Sequence, residues 1–561
     1  MGQKEGIKFD QMRVAYFSME IGIDSKMPTY SGGLGVLAGD LLRSASDMNI
    51  PIIGVTLLYK KGYFRQKINE NGYQTEQDEK WEPETFLKKL PTKISLRIKG
   101  KEVFVSAWLY ELEGVTGNFN PIIFLDTDLP ENSEYDRTIT HHLYGKDDEY
   151  RLSQEIVLGI GGLKILDSLG CSIEKYHMNE GHSSLLSLEL YKKVPENKTE
   201  NVRKKCVFTT HTPVPAGHDQ FSREMAETLL GDYLPEEIKK DLFFNDKLNM
   251  TYLGLRFSGH INGVAKKHKD VSRAMFPGYN IESVTNGVHS VFWTSQFFKK
   301  LYDKYIPNWR EDPFNLRYIM GVPKEKIWNA HLLAKEKLVS FVNKKYNLDM
   351  SVDSFTIGFA RRSTSYKRGE LLLSDIEKLK GIAKKFEGGI QIIYSGKAHP
   401  RDTEGKEIIK RIIDKIKLIN EKIKICYIED YNISVAKVLV SGVDVWLNTP
   451  LRPKEASGTS GMKAAHNGVP HFSILDGWWL EGHIENITGW SIGAHPENSP
   501  ENNQEEDIED LYAKLEYVIL PTFYESRDKW IEIMRHTIAI NASFFNTHRM
   551  LNQYVLNSYF E

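Results

Sequence analysis

FTIGFARRSTSYKRGELLL, residues 355–373, opens with six apolar or small residues and then places four cations, Arg361, Arg362, Lys367 and Arg368, within eight positions. A short run rich in aromatic and β-branched residues suits a strand buried on both faces, as in a parallel sheet. In an open α/β sheet, ligands bind beyond the carboxyl ends of the strands, which is where these cations fall. Charge runs are usually solvated. Here the cations have no acidic neighbours and alternate with Ser363, Thr364 and Ser365, so the segment reads as a phosphate site at a strand end.

The same unit recurs along the chain. VAYF (14–17), IIGVTLL (52–58), PIIFLDT (121–127), CVFTT (206–210), IQIIYSG (390–396), IKICYIED (423–430) and VDVWLNT (443–449) are further strand candidates, separated by stretches of helical period. Residues 151–170 place Ile156, Val157, Ile160 and Leu163 on one helical face. SLRIKGKEVFVSAWLYE (96–112) reads instead as two antiparallel strands around a Lys-Gly turn. The pattern predicts an α/β protein of two doubly wound, Rossmann-like lobes with an active-site cleft between them. The expected parts are residues 1–300, residues 301–535 with a seam between 295 and 320, and a C-terminal helix over 536–561 that packs back toward the first lobe. DKWIEIMRHTIAINASFF reads as the terminal helix, and the acidic stretch 497–510 as a solvated loop entering a helix. There is no repeat of 20 to 50 residues.

Composition narrows the function. The 561 residues carry a formal net charge of -2, with 41% hydrophobic and 26% charged residues, which does not suit a nucleic-acid or anionic-membrane partner. Any anion site is therefore local. Cys171, Cys206 and Cys426 are far apart and in no CxxC spacing, so neither a disulfide framework nor a zinc cluster is expected. The first residues lack the apolar core of a signal peptide, and no run approaches a membrane span, so the chain reads as cytoplasmic.

Other strand ends are also polar. TYSGGLGVLAGDLL (29–42) sets Gly32, Gly33 and Gly35 before a helix, where backbone N–H groups can meet an anion or a sugar oxygen. It lacks the Gly-Lys-Ser/Thr of a P-loop and the spacing of a dinucleotide fingerprint. HMNEGHSS (177–184) and THTPVPAGHDQF (210–221) each carry two histidines without zinc-site spacing, so no metal is expected and sugar contacts fit better. TNGVHSVFW (285–293) adds Asn286 and Trp293, and DGWWLEG (476–482) pairs Trp478 with Trp479, which suit either a sugar or the core. EASGTSGMKAAHNG (455–468) surrounds Lys463 with small, hydroxyl and apolar residues. If the segment before it holds an anion and Met462–Ala465 open a helix, the amine lies partly buried beside a phosphate and is poised for covalent attachment to a carbonyl.

Taken in order, SGGLG, NEGH, HTPVPAGH, TNG, FARRxxxYKR and EASGTSGMKAAxNG resemble the α-glucan phosphorylases, the glycogen and maltodextrin phosphorylase family, from about residue 13 to residue 490. The resemblance implies a pyridoxal 5'-phosphate cofactor on Lys463. Arg361, Thr459, Ser460 and Gly461 would hold its phosphate, with Tyr431 and Trp293 near the ring. Arg362, Lys367 and the N–H of Gly33 would bind inorganic phosphate. Leu34, His211, Asn286, Glu455, Ser457 and Gly458 would grip the terminal glucose. The implied reaction is reversible phosphorolysis of a terminal α-1,4-linked glucose to α-glucose 1-phosphate with retention. Because two phosphates serve as acid and nucleophile, the usual glycosidase carboxylate pair is not required.

The chain departs from longer family members in having Arg361 where they have lysine, Asn432 where they have arginine, and a compact YGKDDEYRL (144–152) where they have a longer gating loop. It looks like the short microbial class, in which phosphorylation control and nucleotide activation are not expected. Family habit implies a homodimer. Two other readings share the architecture often called GT-B: a nucleotide-sugar-dependent glucan synthase, which has no need of Lys463, and a catalytically silent glucan-binding protein.

Overall fold

The computed structural model describes residues 7–145, 147–419, 423–497 and 502–560. Residues 498–501 of the acidic stretch and Lys146 of the 144–152 segment lie outside them. The chain divides into two compact units. One comprises Met1–Phe64, Asp78–Thr285 and Thr547–Glu561, and the other comprises Arg65–Gln77 and Asn286–Asn546. The division falls at 285/286, ahead of the 295–320 stretch, which forms the helix Gln296–Tyr305 and the 3-10 helix Pro313–Gly321 inside the second unit. Among the described residues no helix is long and apolar enough to cross a membrane.

The first unit is built on a nine-stranded sheet. Its spatial order is Glu282–Ser283, His260–Gly263, Cys206–Thr209, Lys175–Asn179, Val14–Ser18, Ile52–Leu57, Phe119–Asp126, Lys101–Glu113, Lys88–Ile98. The first seven are parallel and the last two antiparallel, so the hairpin expected around Lys99–Gly100 extends one edge of the sheet. Alternation sends Val14 and Tyr16 into one hydrophobic cluster and Ala15 and Phe17 into another, which is why the strand reads as an unbroken apolar run. The helix Gly33–Asp47 packs Leu37, Leu41 and Leu42 into the first cluster; Ile156, Val157, Ile160 and Leu163 enter the second. Met550, Leu551 and Tyr554 also join the first cluster, from the helix Thr547–Tyr554.

The terminal helix expected over 528–545 is a correction. Those residues form Arg527–His536 and a π-helical turn, Thr537–Ala542, in the second unit, and Thr547–Tyr554 follows them. Two glycine placements also change: Gly33 and Gly35 lie inside the helix they were expected to precede, and His177–Asn179 end a strand rather than follow one.

The second unit holds a six-stranded, all-parallel sheet in the order Ile423–Ile428, Ile390–Ser395, Phe355–Ala360, Val445–Asn448, His471–Ile474, Gly489–Ile492. In chain order this is 3-2-1-4-5-6, the doubly wound arrangement whose direction reverses between Phe355–Ala360 and Val445–Asn448. A two-stranded hairpin, Arg65–Ile68 and Gln74–Gln77, belongs to this unit although its chain neighbours belong to the other.

Candidate active site

The reversal point of the second sheet places the loops after Phe355–Ala360 and Val445–Asn448 side by side. Arg361 and Lys367 leave the first loop and Glu455 the second. Lys367 Nζ donates to Glu455 Oε1 at 2.9 Å and Oε2 at 2.8 Å, and Arg361 Nη2 donates to Oε2. All three side chains are buried. Burial alone would raise the Glu455 pKa, but the two cations outweigh it and hold the carboxyl at about 2. Behind it, burial and the Glu455 charge push Asp476 up to about 7 while its Oδ2 accepts the Glu455 N–H at 2.9 Å.

The four-cation reading needs one correction. Arg368 has φ +47° and turns the other way, donating to Thr449 O and Pro450 O at 3.0 Å and pairing with Asp507 at 2.8 Å. It braces the loop. Arg362, which is exposed, joins Arg361, Ser363, Thr364 and Lys367 in lining one pocket, whose other walls are Gly396, Tyr427 and an apolar side formed by Phe359, Ile408, Ile409 and Ile412. Arg361 Nη1, Thr364 Oγ1 and Ser457 Oγ are buried donors with no hydrogen-bond partner among the described residues. A set of unsatisfied donors around two cations fits an anion such as a phosphate.

Lys463 sits in the helix Ser460–Ala465, as the sequence led us to expect, and is 7% exposed. Its Nζ lies 4.2 Å from the centre of the buried Trp293 ring. Local contacts fix that meeting. Asn467 Nδ2 donates to Trp293 O and Lys463 O at 3.0 and 3.1 Å, and its Oδ1 accepts the Ser295 N–H at 2.7 Å. Gly458 and Thr459 are half-buried before the helix, Ser460 is half-buried at its first position and Gly461 is buried within it, and the Ser460 hydroxyl accepts from Trp446 Nε1 at 3.0 Å. Tyr431, beside the N-cap Asn432, feels the Arg361 charge. Asn286 is buried. Trp478 and Trp479 resolve to core residues, packed on His471. A buried amine on an aromatic face, in the same unit as the phosphate-type pocket, fits a pyridoxal 5'-phosphate.

In the first unit Gly33 is exposed and Leu34 half-buried at the start of the helix Gly33–Asp47. The turn before them is organised by Glu20, which sequence reasoning missed. Its carboxylate accepts from Ser31 N–H, from Gly32 N–H at 3.1 Å, from Ser31 Oγ at 3.0 Å and from Tyr144 OH at 2.6 Å. A Cβ on Gly35 would lie 2.7 Å from Glu20 Oε2, so only glycine allows the approach. His211 Nε2 lies 2.6 Å from Asn179 Oδ1, and burial pushes its pKa down to about 3, which leaves a neutral ring. The His211 N–H and Thr212 Oγ1 donate to Glu180, whose pKa burial raises to about 7. Arg151, stacked 4.4 Å over the Tyr144 ring, pairs with Asp219 at 2.7 Å. That pair was also missed, since its members are 68 positions apart.

A family model for the carbohydrate phosphorylases matches residues 23–102 and 218–490. The maltodextrin phosphorylase of Thermococcus litoralis is 40% identical over 97% of this chain and 70% of its own length. The glycogen phosphorylase of Aquifex aeolicus is 35% identical over 97% of this chain and 86% of its own, and that of Mycobacterium tuberculosis 34% identical over 97% and 70%. On this likeness the chain belongs to the carbohydrate phosphorylase family.

Proposed function

We propose that this chain is an α-1,4-glucan phosphorylase of GT-B architecture, a glycosyltransferase dependent on pyridoxal 5'-phosphate. On this reading it transfers the terminal glucose of a maltodextrin or glycogen chain to inorganic phosphate, giving α-glucose 1-phosphate with retained configuration. The observation that carries the reading is the pairing, in one unit, of a buried Lys463 on Trp293 with the Arg361–Glu455–Lys367 cluster and its unsatisfied donors.

On this reading Lys463 anchors the cofactor, Trp293 and Tyr431 flank its ring, and Arg361 with Thr459, Ser460 and Gly461 holds its phosphate. That phosphate, when bound, supplies proton exchange with the phosphate substrate. Arg362, Lys367 and the Gly33 N–H receive the substrate phosphate. Two unit charges about 4 Å apart interact by roughly 4 kcal/mol at an effective dielectric near 20, so the anions approach only where such cations offset the repulsion. His211, Asn286, Glu455, Ser457, Gly458 and the Leu34 N–H orient the glucose, and the neutral His211 ring adds no charge beside a developing oxocarbenium centre. A cytoplasmic setting suits the three free cysteines.

The test is to incubate the full chain with maltoheptaose and inorganic phosphate, with pyridoxal 5'-phosphate added or withheld, and follow α-glucose 1-phosphate. Product that depends on the cofactor is expected, together with a pyridoxyl label on Lys463 after borohydride reduction. No product and no label would sink the reading.

A further inference from the structure

We propose that Gln66, carried on the polar hairpin Arg65–Gln77, is a positioning residue for the phosphate pocket of the second unit. The inference rests on the phosphorylase reading for what the pocket receives. In chain order the hairpin lies between two strands of the first unit, Ile52–Leu57 and Lys88–Ile98, yet its contacts are with the second. RQKI and QTEQ carry a single apolar residue, Ile68, so what seats the hairpin is chiefly side-chain hydrogen bonding, with the ion pairs Lys67–Glu429 and Glu76–Lys406.

Gln66 is fully buried, and both ends of its carboxamide are used. Nε2 donates to Gly396 O at 2.8 Å and to Gln74 Oε1 at 2.9 Å, while Oε1 accepts the Asp430 N–H at 2.8 Å. Its backbone N–H returns a bond to Asp430 Oδ1 at 3.1 Å. Asp430 also pairs with Lys397 at 2.7 Å and holds φ +61°. Gln74 completes the clamp through Ala398: its Oε1 accepts the N–H and its Nε2 donates to the carbonyl, each at 2.9 Å.

Those two loops bear directly on the pocket. Gly396 forms its wall, and a Cβ there would come within 2.0 Å of Arg361 O, so the Gly396 and Arg361 backbones are pressed together. Lys397 O accepts the Ser363 N–H at 2.9 Å, and Tyr427 OH shares Gly396 O with Gln66 at 2.8 Å. Asp430 immediately precedes Tyr431. One buried carboxamide therefore ties the loops after Ile390–Ser395 and Ile423–Ile428 to each other, and through them fixes the loop that carries Arg361, Arg362 and Lys367. Gln66 touches none of the reacting groups; it acts through the loops.

The test compares Gln66→Met, which keeps the volume and loses every carboxamide bond, with Tyr73→Phe. The second change removes the Tyr73 hydroxyl bond to Glu407, a hairpin contact that involves none of Gly396, Ala398 and Asp430. Both full-length proteins are loaded with pyridoxal 5'-phosphate and titrated calorimetrically with inorganic phosphate. KM for phosphate, KM for maltoheptaose and the melting temperature are measured alongside. In Gln66→Met the phosphate Kd and KM are expected to rise about tenfold with the maltoheptaose KM little changed, since sub-ångström displacement of binding groups is felt at that scale. Tyr73→Phe should lower the melting temperature and leave phosphate binding alone. An unchanged phosphate Kd in Gln66→Met, or equal changes in both variants, overturns the proposal. Should Gln66→Met not fold, Gln66→Asn is titrated and judged by the same two outcomes. The titration needs no turnover, so it reads Gln66 even where the activity assay fails.

Discussion

Glu455 carries more of the site's electrostatics than any other side chain, because one carboxylate faces both Arg361 and Lys367. Removing one member of a buried ion cluster leaves the others uncompensated, which typically costs about 3–5 kcal/mol. Glu455→Gln should therefore melt well below the parent protein in phosphate-free buffer. Inorganic phosphate stabilises by mass action whatever state binds it, and in the variant it finds both cations without their carboxylate. Thermal melts over a phosphate series should show the larger upward shift in Glu455→Gln; equal shifts in the two proteins would place the anion elsewhere. Sequence reading singled out Arg361 and Lys367 because cations follow an apolar run there, whereas Glu455 came only from the resemblance to the phosphorylases, as a sugar contact. It did not find the pairing, since Arg361 and Glu455 are 94 positions apart and only the strand order brings them together. It also grouped Arg368 with its neighbours, although a left-handed backbone turns that side chain onto Asp507.

At the scale of elements, the opposite ends of the same strands show what holds the second sheet in register. Asp444, just before Val445–Asn448, accepts from Lys335 Nζ at 2.5 Å and the Thr356 N–H at 2.8 Å, and lies 2.8 Å from His331 Nε2. Lys335 and His331 come from one face of the helix Lys324–Tyr346, so the cluster clips that helix to two adjacent strand starts. Asp444→Asn leaves a buried ammonium unpaired and should lower unfolding stability in urea by about 3–5 kcal/mol. Because the clip lies at the amino ends of the strands, KM for phosphate should stay within about twofold, as expected for sites sharing no partner. A parallel loss of phosphate affinity would show that the two strand ends are coupled. All eight strands expected from apolar runs are present, for burial on both faces writes a continuous hydrophobic signal. The strands His260–Gly263, His471–Ile474 and Gly489–Ile492 escaped, because glycine or polar residues interrupt their apolar runs. The hairpin Arg65–Gln77 escaped for a different reason: hydrogen bonds seat it, and they leave no periodicity to read.

Over the whole molecule, buried titratable groups set how stability follows pH. His177, His182, His211, His218, His268, His466 and His471 are all held below the ordinary histidine range by burial, several to about 3 or 4. Below pH ~6.5 the unfolded chain protonates these rings while the folded chain does not, so their contribution is present above that pH and lost on acidification. Glu180 and Asp476 work in the opposite sense. Burial raises both to about 7, so the folded chain keeps two protons that the unfolded chain has released, and their contribution is lost as pH rises through 7. His141 is lowered as well, and burial also raises Glu155 and Asp507, but between pH ~4.5 and 6.5 the rings outnumber the raised carboxyls, so unfolding takes up protons and stability must climb with pH across that window. Glu455, held at about 2, adds its own loss only at stronger acidity. The melting temperature should therefore fall steeply from pH ~6.5 to 5 and change little from 7 to 8, which calorimetric scans through that range would read. A melting temperature that holds level or rises toward pH 5 would mean that these rings are solvated in the folded chain.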